Sequence, residues 1–482
     1  MIKINKLNKN FMYVIIQQFI LLGLPFLTIP YITRVLGPGG VGHYSYSFSI
    51  VTLVISIFLL GSNLYAVRAV AKIKDNQEEL NKVFTEILVL RFSLMTVAGI
   101  LYAILCNRYF DNDVVFYLQL IHIIGAAIDV TWLFQGLEKF SKVVVRNILI
   151  KLLGFGCVFI FVQTSADINK YTIIMGLSVL LGNLFLLWGL FKYVRFAAGI
   201  SIVRYKPHLI GMLILFIPSF SALIYSVMDK TMIGILSTTE DVGYYDQAYK
   251  VVFMITSLIN ATGIVMLPRA SNLIANNQLS VLKEVVNKGL IITLILVFPL
   301  VFGYIIIADE FIIWFMGDNF QESILISIIM APTIIFKALG VVFGSWYLVP
   351  LQMNKAYTCP IVIGAIVNFV FNILFIPYYG AVGAAAVTLI TEAIILLIQV
   401  WFLRREFEFG RLFKQYVLRY FLMGFIMFTS LFLLEFAFKR ISVNFIRMGA
   451  EIIIGLIIYL GLLFITKDQQ VLPLLKKIRR SN

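Results

Sequence analysis

The chain has 482 residues, of which 61% are hydrophobic and only 13% charged, with a mean hydropathy of +0.96. An ordinary soluble domain carries about a quarter charged residues, so this composition excludes one and calls for a polytopic membrane protein. The net charge of +15 does not indicate nucleic acid, because the basic residues fall mainly in short stretches between apolar runs, a distribution that reads as topology.

In chain order, the N-terminal Met1-Ile-Lys-Ile-Asn-Lys-Leu-Asn-Lys9 leads into an apolar run that continues through Pro25 and Pro30. No small-residue cleavage site follows, so a retained first span is expected rather than a signal peptide. Fourteen runs are long enough to cross a hydrocarbon core, which takes about 20 residues. They cover residues 11–33, 44–66, 84–106, 114–136, 147–163, 171–191, 209–235, 242–264, 289–308, 323–346, 359–376, 382–403, 416–436 and 448–466. Water is absent from a bilayer core, so each run must satisfy its own backbone hydrogen bonds, and these lengths suit helices rather than barrel strands of about ten residues. The expected fold class is all-α. Cys106, Cys157 and Cys359 lie in or near apolar runs without metal spacing and imply no disulfide framework.

Orientation follows from the loops. One alternate set holds 27 Lys and Arg and the other only 6, which places both termini in the cytoplasm. One loop runs against the rule, because Lys439, Arg440 and Arg447 fall on the outer side. Six further cations, Arg91, Lys151, Lys230, Lys250, Lys337 and Arg419, lie within the spans. Lys151 and Arg419, near cytoplasmic ends, are expected to snorkel. Arg91 is about two turns in, at 1.5 Å rise per residue. Lys250 and Lys337 lie deeper and are expected to face a wet interior, because a charge at the bilayer centre costs about 2.5–3.5 kcal/mol on insertion scales. Asp129 and Glu392 are the corresponding deep acids, expected to neutralise the lysines or to carry a coupling proton.

The centre of the chain carries an adjacent acid and base, Asp229-Lys230, near the end of one apolar run, with Lys250 on the next. Its turn has an echo: Val41-Gly42-His-Tyr44 and Val242-Gly243-Tyr-Tyr245 stand 201 residues apart, which suggests two homologous halves. Arg34 and Lys230 end the lead helices of those halves and are expected to approach each other across a pseudo-twofold axis. His43, His122 and His208 are far apart in sequence and match no metal or triad motif, so neither a metal site nor a catalytic group is expected.

Pro30-Tyr-Ile-Thr-Arg34-Val-Leu-Gly37-Pro-Gly-Gly-Val-Gly42 resembles the first-helix signature of bacterial polysaccharide flippases of the Wzx type, in the multidrug/oligosaccharidyl-lipid/polysaccharide exporter superfamily. Trp132-Leu-Phe-Gln135-Gly136-Leu-Glu138 is similar to that family's fourth-helix motif, and Asp229-Lys-Thr-Met-Ile-Gly234 with Val242-Gly-Tyr-Tyr245 to its seventh-to-eighth turn. Asn368, Asn372, Ile376-Pro377, Gly380, Gly383-Ala-Ala385, Thr388 and Glu392 resemble its eleventh and twelfth helices. The resemblance spans roughly residues 10–405.

It implies two six-helix lobes around a central cavity, residues 1–200 and 201–405, with residues 406–482 forming two accessory helices and a basic cytoplasmic tail. It also implies a substrate, an oligosaccharide repeat unit on undecaprenyl diphosphate, moved from the cytoplasmic to the outer leaflet of the bacterial inner membrane. Arg34, Lys230, Lys250, Lys337 and Arg91 are the expected substrate-binding cations, since a diphosphate is anionic. Asp129, Asp229 and Glu392 are the expected coupling or charge-balancing acids, with H⁺ or Na⁺ as the coupling ion. A polysaccharide polymerase and glycosyltransferases are the expected protein partners, and nucleic acid is not. Pro25, Pro30 and Pro218 suit kinked lead helices, and Trp132 is a candidate sugar contact.

Two other readings stand beside this one. A cation-coupled drug antiporter of the same superfamily would ordinarily carry an acid in its first helix, yet no Asp or Glu precedes Asp75. A membrane polysaccharide polymerase or ligase would present a sizeable external loop, whereas the longest outer loop expected here is about residues 309–322.

Overall fold

The computed structural model describes the backbone of residues 2–197, 204–438 and 444–466, and side chains from residue 23 onward except 217–219, 221–226, 258, 260, 261, 264, 265 and 435–445. The side chains of Lys3, Lys6, Lys9 and Pro218, together with Lys439, Arg440 and the basic tail from Lys467, lie outside the described residues, as does the expected lobe boundary at residue 200. Among the described residues every regular element is helical. Ten helical stretches among the described residues are long and apolar enough to cross a bilayer by length and composition. The chain divides into two compact units, Met1–Gly243 and Tyr244–Asn482.

The first unit contains α1 (Ile2–Leu59), α2 (Ser62–Ile73), α3 (Gln77–Tyr109), α4 (Val114–Leu118), α5 (Leu120–Ala127), α6 (Thr131–Gly136), α7 (Phe140–Phe161), α8 (Ile168–Leu190) and α9 (Tyr205–Leu236). The turn expected after residue 33 is far tighter than a loop. Only Gly37, at φ 66° and ψ 179°, leaves helical geometry, a positive φ that favours glycine, and Pro38 follows at a place where a missing N–H costs nothing. The second arm of α1 packs on α9. Ser49 Oγ and Thr231 Oγ1 lie 2.7 Å apart, and the two glycines of the Val-Gly-x-Tyr echo meet. A Cβ on Gly42 would stand 1.7 Å from the Thr239 carbonyl oxygen, and one on Gly243 2.2 Å from that of Pro38. Backbones approach this closely only where side chains are absent.

The expected span at 114–136 is a broken helix, α4 to α6. Its break falls at residues 128–130, where Asp129 Oδ1 accepts the Thr131 N–H at 2.9 Å and the Trp132 indole donates to the Asp129 carbonyl at 2.9 Å. Helix interruptions at membrane depth persist where protein groups re-satisfy the freed backbone. Trp132 itself is 1% exposed and packs on Phe84 at 5.8 Å between ring centroids, among Leu80, Ile87 and Phe134. It is a core residue and not a sugar contact.

The second unit takes in α10 (Thr239–Ala275) from Tyr244 onward, then α11 (Leu279–Met316), α12 (Glu322–Met330), α13 (Thr333–Phe343), α14 (Asn354–Leu403), α15 (Phe409–Leu412), α16 (Leu418–Phe438) and α17 (Asn444–Ile465). The span expected at 323–346 is also interrupted, at Ala331-Pro332 between α12 and α13. The two expected spans at 359–376 and 382–403 form one long element, α14, broken only at Gly380. α16 and α17 pack on α11 through Phe298, Tyr420, Met427 and Tyr459. Arg447, expected in an outer loop, lies on α17, 2.7 Å from Glu310 of α11 and 3.1 Å from Glu451. A cation held by two carboxylates weighs little as a topological signal, which sets aside one of the three cations that run against the rule in that loop.

Candidate functional site

In the second unit, α10 carries Asp246, Tyr249 and Lys250 at i, i+3 and i+4, the spacing that brings side chains onto one helix face. Lys250 Nζ lies 2.6 Å from Asp246 Oδ2, and the acid is buried while 39% of the lysine side chain is exposed. Lys337 reaches across from α13. Its ammonium is 3.0 Å from Glu392 Oε1 on α14 and 5.3 Å from the centroid of the Tyr249 ring. α10 is pinned to α14 one turn earlier, where the Tyr245 hydroxyl meets Thr388 Oγ1 at 3.0 Å. Thr388 and Glu392 lie at i, i+4 on α14, so the Tyr245 contact also positions the acid that holds Lys337.

This cluster therefore joins Lys250, Lys337 and Glu392, three of the residues expected from the sequence, and adds Asp246 and Tyr249. Each lysine has a buried carboxylate partner and keeps an accessible face. Taking an ion out of water costs several kcal/mol even after relaxation, and the paired acids and the Tyr249 ring face offset this cost for the cations. A lysine has three donors, so it can hold a carboxylate and an anionic oxygen of a ligand together.

The first unit treats its cation differently. Arg91 is 1% exposed. Its guanidinium donates to Asn63 Oδ1 at 2.5 Å, Ser62 Oγ at 3.1 Å and the Ala126 carbonyl at 3.3 Å, and lies 3.7 Å from Asp129 Oδ2. Expected to bind substrate, Arg91 instead ties α2, α3 and the break after α5 together. We therefore read it as a structural cation, with Asp129 as its charge-balancing acid. Arg146, which the sequence places in a loop, lies on α7 and donates to Thr131 Oγ1 at 2.8 Å, bracing the same break.

Lys151 differs from its expected position at a span end. It lies midway along α7 on an exposed face. The helix starts earlier than hydropathy suggests because its first turns, Phe140 to Arg146, carry Ser141, Lys142 and Arg146 among their apolar residues. Arg34 is exposed and donates to the Pro30 carbonyl at 2.9 Å. Asp229 is buried and Lys230 half-buried on α9.

A sequence profile for a family described as polysaccharide biosynthesis protein matches residues 7–274. A Shigella dysenteriae protein named as an O-antigen transporter is 26% identical over 382 residues, covering 77% of this chain and 94% of that protein. A Haloferax volcanii protein named as a low-salt glycan biosynthesis flippase, Agl15, is 24% identical over 385 residues, covering 77% of this chain and 78% of that protein. Among solved structures, the lipid II flippase MurJ superposes with a TM-score of 0.72 at 16% identity, covering 95% of this chain and 99% of that one, a likeness of fold. The family match takes in more than half of the sequence, and the chain belongs to the polysaccharide biosynthesis protein family.

Proposed function

We propose that this protein moves a lipid-linked oligosaccharide repeat unit, carried on undecaprenyl diphosphate, from the cytoplasmic to the outer leaflet by alternating access. The observation that carries the reading is the pair of accessible lysines, Lys250 and Lys337, held on buried acids inside an apolar bundle whose sequence places it among polysaccharide biosynthesis proteins. Such cations suit a diphosphate that must leave the membrane surface. Arg34 and Lys230, at the outer ends of the lead helices, are assigned as further substrate-binding cations, with Asp229 as a charge-balancing acid. Glu392 is assigned to H⁺ or Na⁺ coupling, because the acid that holds Lys337 can trade that partner for a proton or a cation when ligand arrives.

The reading carries a topology of fourteen crossings with both termini cytoplasmic, in two lobes of six with two accessory helices. α1 and α14 run 58 and 50 residues respectively, enough for two crossings each at about 20 residues apiece. A flippase neither makes nor polymerises the glycan, so polymerase and glycosyltransferases act beside it.

Loss of the protein should strand complete lipid-linked repeat units in the cytoplasmic leaflet, present in total lipid extracts and invisible to external probes. Elongated glycan made by the purified protein would overturn the reading, as would a deletion phenotype confined to drug tolerance.

A further inference from the structure

A second site lies in the first unit, apart from the lysine cluster, between the last two turns of α2 and the first turns of α9. Gly211 permits it. A Cβ there would stand 2.2 Å from the Tyr65 ring, so α9 passes directly beneath Tyr65. The phenol then reaches His208, one turn back on α9, with its oxygen 2.8 Å from Nδ1. His208 Nε2 lies 2.8 Å from Glu86 Oε2 of α3, and the other oxygen of Glu86 is 3.0 Å from Arg204 Nε. An ionised carboxylate only accepts hydrogen bonds, so Nε2 carries the proton and, in a neutral ring, Nδ1 accepts from the Tyr65 hydroxyl. Glu86 and His208 are both buried, and the chain Tyr65–His208–Glu86–Arg204 forms a linked polar floor.

Above this floor is a cavity of about 420 Å³, within the roughly 300–1,000 Å³ typical of small-molecule sites. Its walls are mostly apolar, with Ile214 and Leu215 among them, and Arg68 and Lys72 stand at its mouth one helical turn apart. No carboxylate lines it, and among the described residues neither Arg68 nor Lys72 has an ion-pair partner. The neighbouring cations are paired: Lys74 lies 2.8 Å from Glu138, and Lys82 pairs with Glu78. Ile214 is 68% exposed, so the apolar wall continues onto the surface of the first unit. The cations lie within two turns of the loop joining α2 to α3, at the interface end of the span.

We propose that this cavity binds a bilayer phospholipid with an anionic headgroup, the phosphate between Arg68 and Lys72 and the upper acyl chain along Ile214 and Leu215. Basic pockets between transmembrane helices favour anionic lipids in this way, at about 1 kcal/mol per Lys or Arg near the surface. A bound lipid would wedge between α2 and α9 and set how closely they pack.

The test is native mass spectrometry of the full chain in detergent, titrated with phosphatidylglycerol or phosphatidylcholine. Phosphatidylglycerol should be retained preferentially, and Arg68→Gln with Lys72→Gln should weaken its retention roughly tenfold to thirtyfold. The charge-preserving pair Arg68→Lys with Lys72→Arg should hold it, and Lys192→Gln with Arg195→Gln, which removes two exposed cations elsewhere, should leave it unchanged. All four positions are exposed, and thermal unfolding should match wild type for each variant. Equal retention of the two lipids would overturn the proposal, as would an equal loss in the Lys192 and Arg195 control. Full displacement by inorganic phosphate would reduce the site to an anion site, and displacement by undecaprenyl phosphate at equal concentration would reassign it to substrate; either result would also overturn it.

Discussion

Arg91 and Lys337 are both cations within apolar helices, both stand beside an acid, and their surroundings differ sharply. Arg91 is sealed in the first unit by Ser62, Asn63, the Ala126 carbonyl and Asp129, with 1% of its side chain exposed. Lys337 has Glu392 and the Tyr249 ring, with 20% of its side chain exposed. A planar guanidinium with five fixed donors can be satisfied by several acceptors at once, which suits it to holding elements together. An ammonium on a flexible stem can exchange partners, which suits it to a ligand. Burial of a charge in a membrane protein thus marks function only where some of the charge remains reachable.

Stability measurements should separate the two most sharply. Arg91→Leu leaves Asp129, Asn63 and a helix break without their common partner, and removing one member of a buried ionic network typically costs about 3–5 kcal/mol. The variant should fail to accumulate in the membrane or should unfold well below wild type, and wild-type expression and melting would break the comparison. Lys337→Leu should cost less, about 1–2 kcal/mol, because Glu392 can be neutralised by a single proton. Adding Glu392→Gln should recover most of that loss in a double-mutant cycle, whereas Asp129→Asn should recover little in the Arg91→Leu background, where neutral acceptors are also orphaned.

The smallest effect belongs outside the membrane. The Lys283 ammonium 2.8 Å away, with help from the Tyr347 hydroxyl, holds the Glu406 carboxyl below the usual carboxylate range. A depressed carboxylate contributes stability that is complete above its unfolded pKa, about 4.3, and that is lost as pH falls through its lower folded value. The pair is partly exposed, so the contribution is under about 1 kcal/mol. Glu406→Gln should therefore melt slightly below wild type at pH 7, and the gap should close under acid conditions below pH 4. A gap that widened on acidification would contradict the assignment.

Much of this arrangement is legible in the sequence. Length and hydropathy mark the spans, and depth within a span singles out Lys250, Lys337, Asp129 and Glu392. The Asp246 partner of Lys250 was also readable, since Asp-x3-Lys on a helix is an ion-pair spacing and both residues fall in the span expected at 242–264, but an acid about one turn from the start of a span does not stand out by depth. The break at residues 128–130 was not readable, because a run apolar on every side gives no periodicity to interrupt, whereas the one at 331–332 carries a signal in Pro332. Arg146 and Lys151 were misplaced for a related reason. Hydropathy starts the span after the last charge, while α7 begins two turns earlier, in a stretch that carries Ser141, Lys142 and Arg146. Trp132 and Arg91 were misjudged because residue type does not report exposure.

The central claim is that Lys250 and Lys337 handle the anionic head of a transported lipid. It is tested most directly by reconstituting the full chain and the Lys250→Gln with Lys337→Gln variant in vesicles containing a fluorescent undecaprenyl-diphosphate oligosaccharide. The readout is the rate at which an external quencher reaches the label. Wild type should expose the label faster than empty vesicles, and the variant, reconstituted to the same protein density and with an unchanged melting temperature, should fall to the empty-vesicle rate. A well-folded variant that flips the lipid at the wild-type rate would contradict the account.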